Sequence, residues 1–568
     1  MKYVNELNTL ILISLLKEHN IKKIIVSPGT TNIAFVVSIQ NDPWFEVYSA
    51  IDERSASFMA CGLADASGEP VVLSCTGATA SRNYLPGLTE AYYRKLPVLA
   101  ITSSQNNMRA ESYSPQFLDR TKQFNDLVKH SFQAPAITER EVTWYTTQIN
   151  KSILELTHNY NGPVHINLEF AYSGKFVDLL PQVRKISRIE INETFPAIPD
   201  NYKVGIFIGA HLPFSKSEES VIDQFCEKYN AIAICDQTSN FRGEYRYLAN
   251  LANQQDKILS SRKFDLLIHI GSVSGAYIPL ESKETWRVNE DGEVRDLFGN
   301  LTNIFQMKEE QFFRLYADNS KRNRSSILLE RVRSERENIL SNIGELPFSN
   351  LWIASQIESA LPKHSVLHLA ILNSLRAWNI FETDETITCY SNTGGFGIDG
   401  CLSSFIGAAK SNPEKQFYGV FGDLSFFYDV NSLINNTPRN VHILLVNNGV
   451  GTEFKNYSHI ASQFGDDADK YIAAKGHNGC KSNSLIKNYT ERCGLKYLAA
   501  SSKESFVEIK DKWLNEGGTL LEVFTTDVDE SNALKKINSI EKDAKVELKN
   551  KMKGHLLYKV AKKILRKG

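Results

Sequence analysis

The chain has 568 residues, 42% apolar and 23% charged, with a net charge of -1. That composition is ordinary for a globular protein with length for three or four domains, and it excludes a nucleic-acid-binding protein that works through basic excess. The eight Cys are scattered, with no C-x-x-C pair, which excludes a zinc ribbon or a disulfide framework and points to a reducing cytoplasm.

The N-terminal segment MKYVNELNTLILISLLKEHN has an apolar run ended by Lys17 and Glu18. It predicts an amphipathic helix, not a signal peptide or a membrane span. Short apolar strands then alternate with helical stretches, the pattern of parallel α/β domains. In the first block Lys22 to Val26 predicts a strand before the turn Ser27-Pro28-Gly29. Phe45 to Ser49 predicts a second, before a helix from Glu53. Pro70 to Cys75 is a third, before Gly77 and a helix to Tyr93; Val98 to Thr102 is a fourth, and HINLEF closes the block. The charged, Pro-containing stretch LLPQVRKISRIEINETFPAIPD predicts a linker. A second block carries VGIFIG, AIAIC and LLIHIG, and a charge-rich helical stretch over 308–342 leads out of it. The third block carries SVLHLA, ITCYSN, QFYGVFGD, VHILLVNN and TLLEVFTT. The reading is an α/β chain of three doubly wound parallel-sheet domains at 1–178, 179–345 and 346–540, with a basic tail at 541–568. Ligands of such sheets sit outside the carboxyl ends of the strands. The middle block has IGAHLPF and IGSVSGA but no G-x-G-x-x-G after a strand, which argues against a bound dinucleotide.

The strongest chemical signal is Gly422-Asp423-Leu424-Ser425 after the strand YGVF, with Asn447-Asn448-Gly449 at the end of the strand VHILLV, 24 to 26 residues beyond Asp423. Two strand ends then each present an oxygen ligand, the Asp423 carboxylate and the Asn448 amide. Mg²⁺ takes such hard oxygens together with phosphates. The backbone N–H groups after Gly422 and the helix start suit a diphosphate. Taken singly, Gly-Asp is a strand-to-helix turn with an Asp cap and Asn-Asn-Gly is a turn.

These motifs resemble those of the thiamine-diphosphate-dependent enzymes, whose mark is Gly-Asp followed further along by Asn-Asn. Within them the chain resembles the SEPHCHC synthase (MenD) family of the menaquinone pathway. SPGTTN at 27–32, DERSASFMACGLADASG at 52–68, SNTGGFGIDGCLSSFIGAA at 391–409 and GDLSFFYDVNSL at 422–433 carry the resemblance, which reaches almost the whole chain. It implies pyrimidine-binding, central and diphosphate-binding domains in that order, holding thiamine diphosphate and Mg²⁺. It implies Asp423 and Asn448 as metal ligands, with the carbonyl of Val450 as a third. Gly422, Leu424 and Ser425 would lie along the diphosphate. Glu53 in YSAIDERSASF would be the buried acid at the aminopyrimidine nitrogen; on spacing alone, Asp52, Glu53 and Arg54 read as a charged first helical turn. Ile398 in GGFGIDG would be the apolar wedge that bends the cofactor, and Phe396 and Phe454 would line the same pocket. Thr79 and Asn83 would lie near the pyrimidine. Gln116, thirteen residues before Lys129-His130-Ser131-Phe132, would hydrogen-bond the cofactor-bound substrate. Each has a plainer reading: a core Ile, a packed aromatic, a loop-structuring Gln. The resemblance also implies a homodimer or homotetramer, the first block of one subunit facing the third block of another.

The substrate side departs from the family. Where the family reads SPGSRS this chain has Thr31, and where it reads SNRG this chain has Thr393. A third Arg, five residues after the Asn of an Asn-Ser motif, is replaced by Trp378, with Arg376 two positions earlier. Arginines hold carboxylates through bidentate contacts, and each loss costs about 1.5–3 kcal/mol. The expectation is a paralogue with a different acceptor, in which the Thr hydroxyls bind a sugar or polyol-like compound.

The tail from Glu541 carries ten Lys or Arg against three Asp or Glu, with Leu548, Met552, Leu556, Val560 and Ile564 at four-residue intervals. It predicts a basic amphipathic helix, either a contact with an anionic membrane surface at the cytoplasmic face or a solvated or subunit-packed helix. The functional reading is a carboligase that decarboxylates a 2-oxo acid, with 2-oxoglutarate a candidate donor, and transfers the acyl carbanion to an acceptor. A simple decarboxylase releasing an aldehyde and a non-catalytic cofactor-binding protein are the alternatives.

Overall fold

A computed structural model describes residues 2–105, 116, 117, 119, 123–322, 324–480 and 484–542. The basic tail from 543 onward lies outside the described residues. The chain forms two compact units, 1–196 with 284–307, and 197–283 with 308–568.

The first unit holds a six-stranded parallel sheet. In spatial order its strands are Glu46–Ser49, Lys23–Val26, Val71–Cys75, Val98–Ser104, Val164–Glu169 and His130–Ala134. Side chains alternate along each strand, so neighbours enter opposite cores. Ile24, Val72, Leu99 and Ile101 join one core, and Ile25, Val71, Leu73 and Ala100 the other. Both faces are covered, which is why these strands read as unbroken apolar runs. The helix Glu53–Ser67 starts where Asp52 accepts the Ser55 N–H at 2.8 Å, and ends at Gly68 with φ +68°.

Two expectations change here. The N-terminal helix, Leu7–Glu18, is not amphipathic: every residue from Asn8 to Leu16 is buried. Two of its polar members are satisfied from outside the helix, Asn8 donating to the Glu169 carbonyl at 2.8 Å and Ser14 to the Pro181 carbonyl at 3.0 Å, while the Thr9 hydroxyl is buried without a partner among the described residues. The predicted linker contains a strand, Ser187–Glu190, which pairs in parallel with Leu301–Gln306, itself parallel to Glu281–Val288. Its charge found partners rather than solvent: Arg188 donates to the carbonyls of Gly292 and Leu154, each at 2.9 Å.

The second unit carries four parallel strands in the order Arg246–Leu248, Ile232–Cys235, Val204–Ile208, Lys263–Ile270. It also carries a six-stranded parallel sheet, Thr388–Tyr390, Val366–Leu369, Phe417–Gly422, Val441–Asn447, Thr519–Phe524, Lys496–Ala500. The charge-rich stretch is two helices, Glu309–Asn319 and Ile327–Ser341. The α/β class with parallel sheets is therefore as the sequence reads. Among the described residues no helix is long and apolar enough to cross a membrane.

One buried charge marks the second unit. Glu358 caps the helix Asn350–Ile357 with Oε2 buried and unpartnered, and burial pushes its carboxyl up to about 7. A raised carboxyl means the unfolded chain ionises first. Stability therefore falls as pH climbs from about 4.5 to about 7. Glu358→Gln should flatten that slope and raise stability at pH 8 by at most about 3 kcal/mol, read from denaturant midpoints at pH 5 and pH 8.

Candidate active site

The strand Phe417–Gly422 lies in register beside Val441–Asn447, Gly422 opposite Val446. Asp423 and Asn448 therefore leave adjacent strand ends, the geometry that their spacing predicts. Asp423 is 3% exposed. Its Oδ1 accepts the Leu424 N–H at 2.8 Å, and its Oδ2 accepts the Gly449 N–H at 2.7 Å. The second bond ties the two strand ends together. Gly449 has φ +74°, and a Cβ there would stand 2.9 Å from Cys480 Sγ, so glycine is required on both counts.

His477 Nε2 lies 3.0 Å from Asp423 Oδ2, the imidazole donating. Phe427 packs edge-on against its ring at 5.4 Å. Sequence reasoning missed His477, which comes from an irregular segment 54 residues beyond Asp423 with no motif around it. Below the site, Asn447 donates to Glu522 Oε1 at 2.7 Å, and Tyr497 donates to Glu522 Oε2 at 2.7 Å. Burial pushes the Glu522 carboxyl up, against the pull of these two bonds.

Asn448 Oδ1 accepts only a long bond, 3.3 Å, from the Val450 N–H. The Val450 carbonyl accepts no hydrogen bond among the described residues. Asp423 carboxylate, Asn448 amide and Val450 carbonyl thus form a set of oxygen donors with unused lone pairs, which suits a hard cation such as Mg²⁺. No cluster of three or more His, Cys, Asp or Glu offers an alternative metal site among the described residues.

The remaining second-unit residues of the prediction meet around this loop. Ser425 Oγ donates to the Ile398 carbonyl at 2.9 Å, fixing the half-buried Ile398 segment to the Asp423 helix. The Ser425 hydroxyl is thereby committed inside the protein. Leu424 and Phe454 close over Gly451, where an added Cβ would lie 3.3 Å and 3.1 Å from them. Phe396 is 38% exposed, with φ +55°.

In the first unit, Glu53 opens its helix and is half-buried. Within the unit it lacks the expected apolar enclosure. Elsewhere on the same stretch apolar side chains are open, with Ile51 84%, Phe58 47% and Met59 46% exposed. Thr79 and Asn83 are exposed at the two ends of the helix Thr79–Asn83. Gln116 is exposed, with φ +69°.

Of the threonines at the expected arginine positions, Thr31 is not an open donor. Thr31 is buried; its hydroxyl bonds Thr76 Oγ1 and donates to the Ser103 carbonyl, both at 2.7 Å. Thr393 is buried, and its methyl would lie 2.9 Å from a Cβ on Gly275. The Thr31 hydroxyl is thus committed inside the protein, against the expectation that it binds a ligand hydroxyl. Arg376 remains, but its Nη1 pairs with Glu453 Oε1 at 2.5 Å.

Residues 9–131 match the family model for the thiamine pyrophosphate enzyme, N-terminal TPP binding domain. A 2-succinyl-5-enolpyruvyl-6-hydroxy-3-cyclohexene-1-carboxylate synthase of Bacteroides fragilis is 31% identical over 489 residues, 80% of this chain and 84% of that protein. The synthase of Bacteroides thetaiotaomicron is 29% identical over 94% of this chain and 98% of its own length. That of Flavobacterium psychrophilum is 27% identical over 76% and 81%. With a strand-end carboxylate and amide in place and this likeness along most of its length, the chain belongs to the SEPHCHC synthase family of thiamine-diphosphate-dependent enzymes.

Proposed function

We propose that the protein is a Mg²⁺-dependent carboligase that decarboxylates a 2-oxo acid and joins the remaining acyl carbon to an acceptor carbonyl. The observation that carries this reading is the oxygen donor set of Asp423, Asn448 and Val450 at two tied strand ends. When bound, thiamine diphosphate supplies the carbon nucleophile and electron sink for loss of carbon dioxide. Asp423, Asn448 and the Val450 carbonyl hold the metal that neutralises the diphosphate. Glu53 holds a proton at the aminopyrimidine ring nitrogen. Ile398 shapes the cofactor from one side, and Thr79 and Gln116 position pyrimidine and substrate. In the net reaction the 2-oxo acid gives up carbon dioxide, its acyl carbon bonds to the acceptor carbonyl carbon, and the acceptor oxygen takes up one proton.

In the three-domain division at 1–178, 179–345 and 346–540, Glu53 and Asp423 sit in different domains. A second subunit would bring them together. The apolar stripe of Phe58, Met59 and the open Gly62 on one face of the Glu53 helix supports such pairing.

Three outcomes are expected. Asp423→Ala should weaken Mg²⁺-dependent cofactor binding roughly 10- to 100-fold, the value of one charge-assisted contact, measured by titration calorimetry. Glu53→Gln should retain cofactor binding but lower carbon dioxide release about 10²- to 10⁴-fold, assayed with 2-oxoglutarate and pyruvate as donors; full activity in the variant would sink the assignment of Glu53. Met59→Asp should convert a dimer or larger assembly to an inactive monomer in sedimentation velocity, whereas a monomeric wild type would reject the shared site.

A further inference from the structure

The second unit contains a cavity of about 710 Å³ whose polar lining the reaction above does not use. One wall is the segment from Glu453 to His459, which begins three residues after Val450. Another is Asn373 and Arg376, and a third brings Arg262 and Tyr277. Glu530 and Asn538 close the fourth side. The cavity therefore adjoins the loop that carries the proposed metal ligands. At this size it is far larger than a 2-oxo acid needs, and it falls in the range of ordinary small-molecule sites.

Of its charges, Asp256 is exposed and makes no ion pair among the described residues, and most of the others are committed. Arg376 is paired with Glu453 at 2.5 Å. Asn373, with its amide nitrogen toward Glu453, donates to Oε2 at 3.0 Å and accepts the Glu453 N–H at 2.9 Å. Glu453 is thus held by two partners, and Arg376 brings no net charge to the cavity. Glu530 accepts from the Asn350 N–H and from Thr525, and burial pushes its carboxyl up to about 7. Arg262 differs. It makes no ion pair and no side-chain hydrogen bond among the described residues, and its Nε is buried without a partner. A half-buried guanidinium left unpaired costs free energy that a bidentate anion would recover. The rest of the wall offers polar atoms short of partners, Arg376 Nε and Asn538 Oδ1, and the exposed ring of Tyr277.

We propose that this cavity receives the acceptor, and that the acceptor is a polyhydroxylated carbonyl compound bearing a single anionic group, either a carboxylate or a phosphate. Arg262 takes the anion. The Arg376–Glu453 pair, a donor and an acceptor side by side, takes vicinal hydroxyls, and Tyr277 offers a flat face to an apolar ring surface. A single anionic group follows because Arg262 is the one uncommitted Arg or Lys among the described residues of the lining, and the Asp256 carboxylate in the same lining disfavours a second anion. A dicarboxylate would find one partner for two charges, because Arg376 is already neutralised. This inference rests on the carboligase reading for the word acceptor, but the binding it asserts can be measured without turnover.

The test is titration calorimetry on the full-length chain with glucuronate, gluconate and glucose 6-phosphate, against glucose and succinate as controls. At least one of the three acids should bind saturably, and glucose and succinate roughly 10-fold more weakly or worse. Sugar acids and the sugar phosphate in separate arms distinguish the two sources of the anion. Arg262→Gln should weaken the best acid roughly 10- to 100-fold, and Arg262→Lys should restore part of it, which separates loss of charge from loss of fold. Saturable binding of none of the acids, or succinate binding as tightly as they do, overturns the proposal. Cofactor binding measured in parallel keeps the two readings apart. Protein that binds thiamine diphosphate and Mg²⁺ but no sugar acid loses this inference alone, and protein that binds no cofactor loses the carboligase reading.

Discussion

The bond from the Gly449 N–H to Asp423 Oδ2 is the contact on which the site depends. It joins the ends of two neighbouring parallel strands and aims a buried carboxylate at the loop between Asn448 and Val450. Everything near it is constrained by that closeness. Gly449 must lack a side chain because Cys480 occupies the space, and Gly451 is enclosed by Leu424, Phe454 and the Ala473 carbonyl. A buried carboxylate without a Lys or Arg partner is costly unless hydrogen bonds or a metal compensate. Two backbone N–H groups and His477 supply part of that compensation, and the remaining lone pairs are what make the place suited to a cation.

The same physics separates the cofactor side from the substrate side. Around Asp423 the donors are rigid, backbone-held and small. Around Arg376 the charge is cancelled locally, by Glu453, and the amide of Asn373 holds that pair in place. A neutral, hydrogen-bonding surface does not select a dianion, because neither charge gains what it loses on leaving water. Thr31, expected at an arginine position, is hydrogen-bonded to Thr76, and the Thr393 methyl lies close to Gly275. Membership in the family and divergence in substrate are therefore compatible statements about different walls of one protein.

Glu53 raises a separate matter. The proton-sharing role proposed for Glu53 needs a dry environment, and the first unit leaves Glu53 half-buried, with Ile51, Phe58 and Met59 of the same stretch exposed. Apolar surface of this kind is expensive in water and inexpensive against another surface. Pairing of subunits would bury it and complete the enclosure in one step.

Much of this was legible in the residues. Burial on both faces of the parallel strands gave unbroken apolar runs, so most of the strand positions and the α/β class could be read directly. The Gly-Asp and Asn-Asn pair was legible for a related reason: each follows such a run, and strand ends are where parallel sheets place their ligands. Strands rich in charge were not legible. Ser187–Glu190 read as linker because Arg188 gave a polar signal, and only its pairing with the distant Leu301–Gln306 makes it a strand. His477 carried no local signal at all, since its role is a distance to Asp423 across 54 residues. The sequence by itself determined which residue types stand at the strand ends, because local hydrophobic period and turn chemistry are properties of neighbours in the chain. Whether Thr31 binds a ligand or fills a core, whether Arg376 is a free cation or half of a pair, and that His477 faces Asp423 were decided by tertiary structure alone, because each depends on a partner that only folding brings within hydrogen-bond reach.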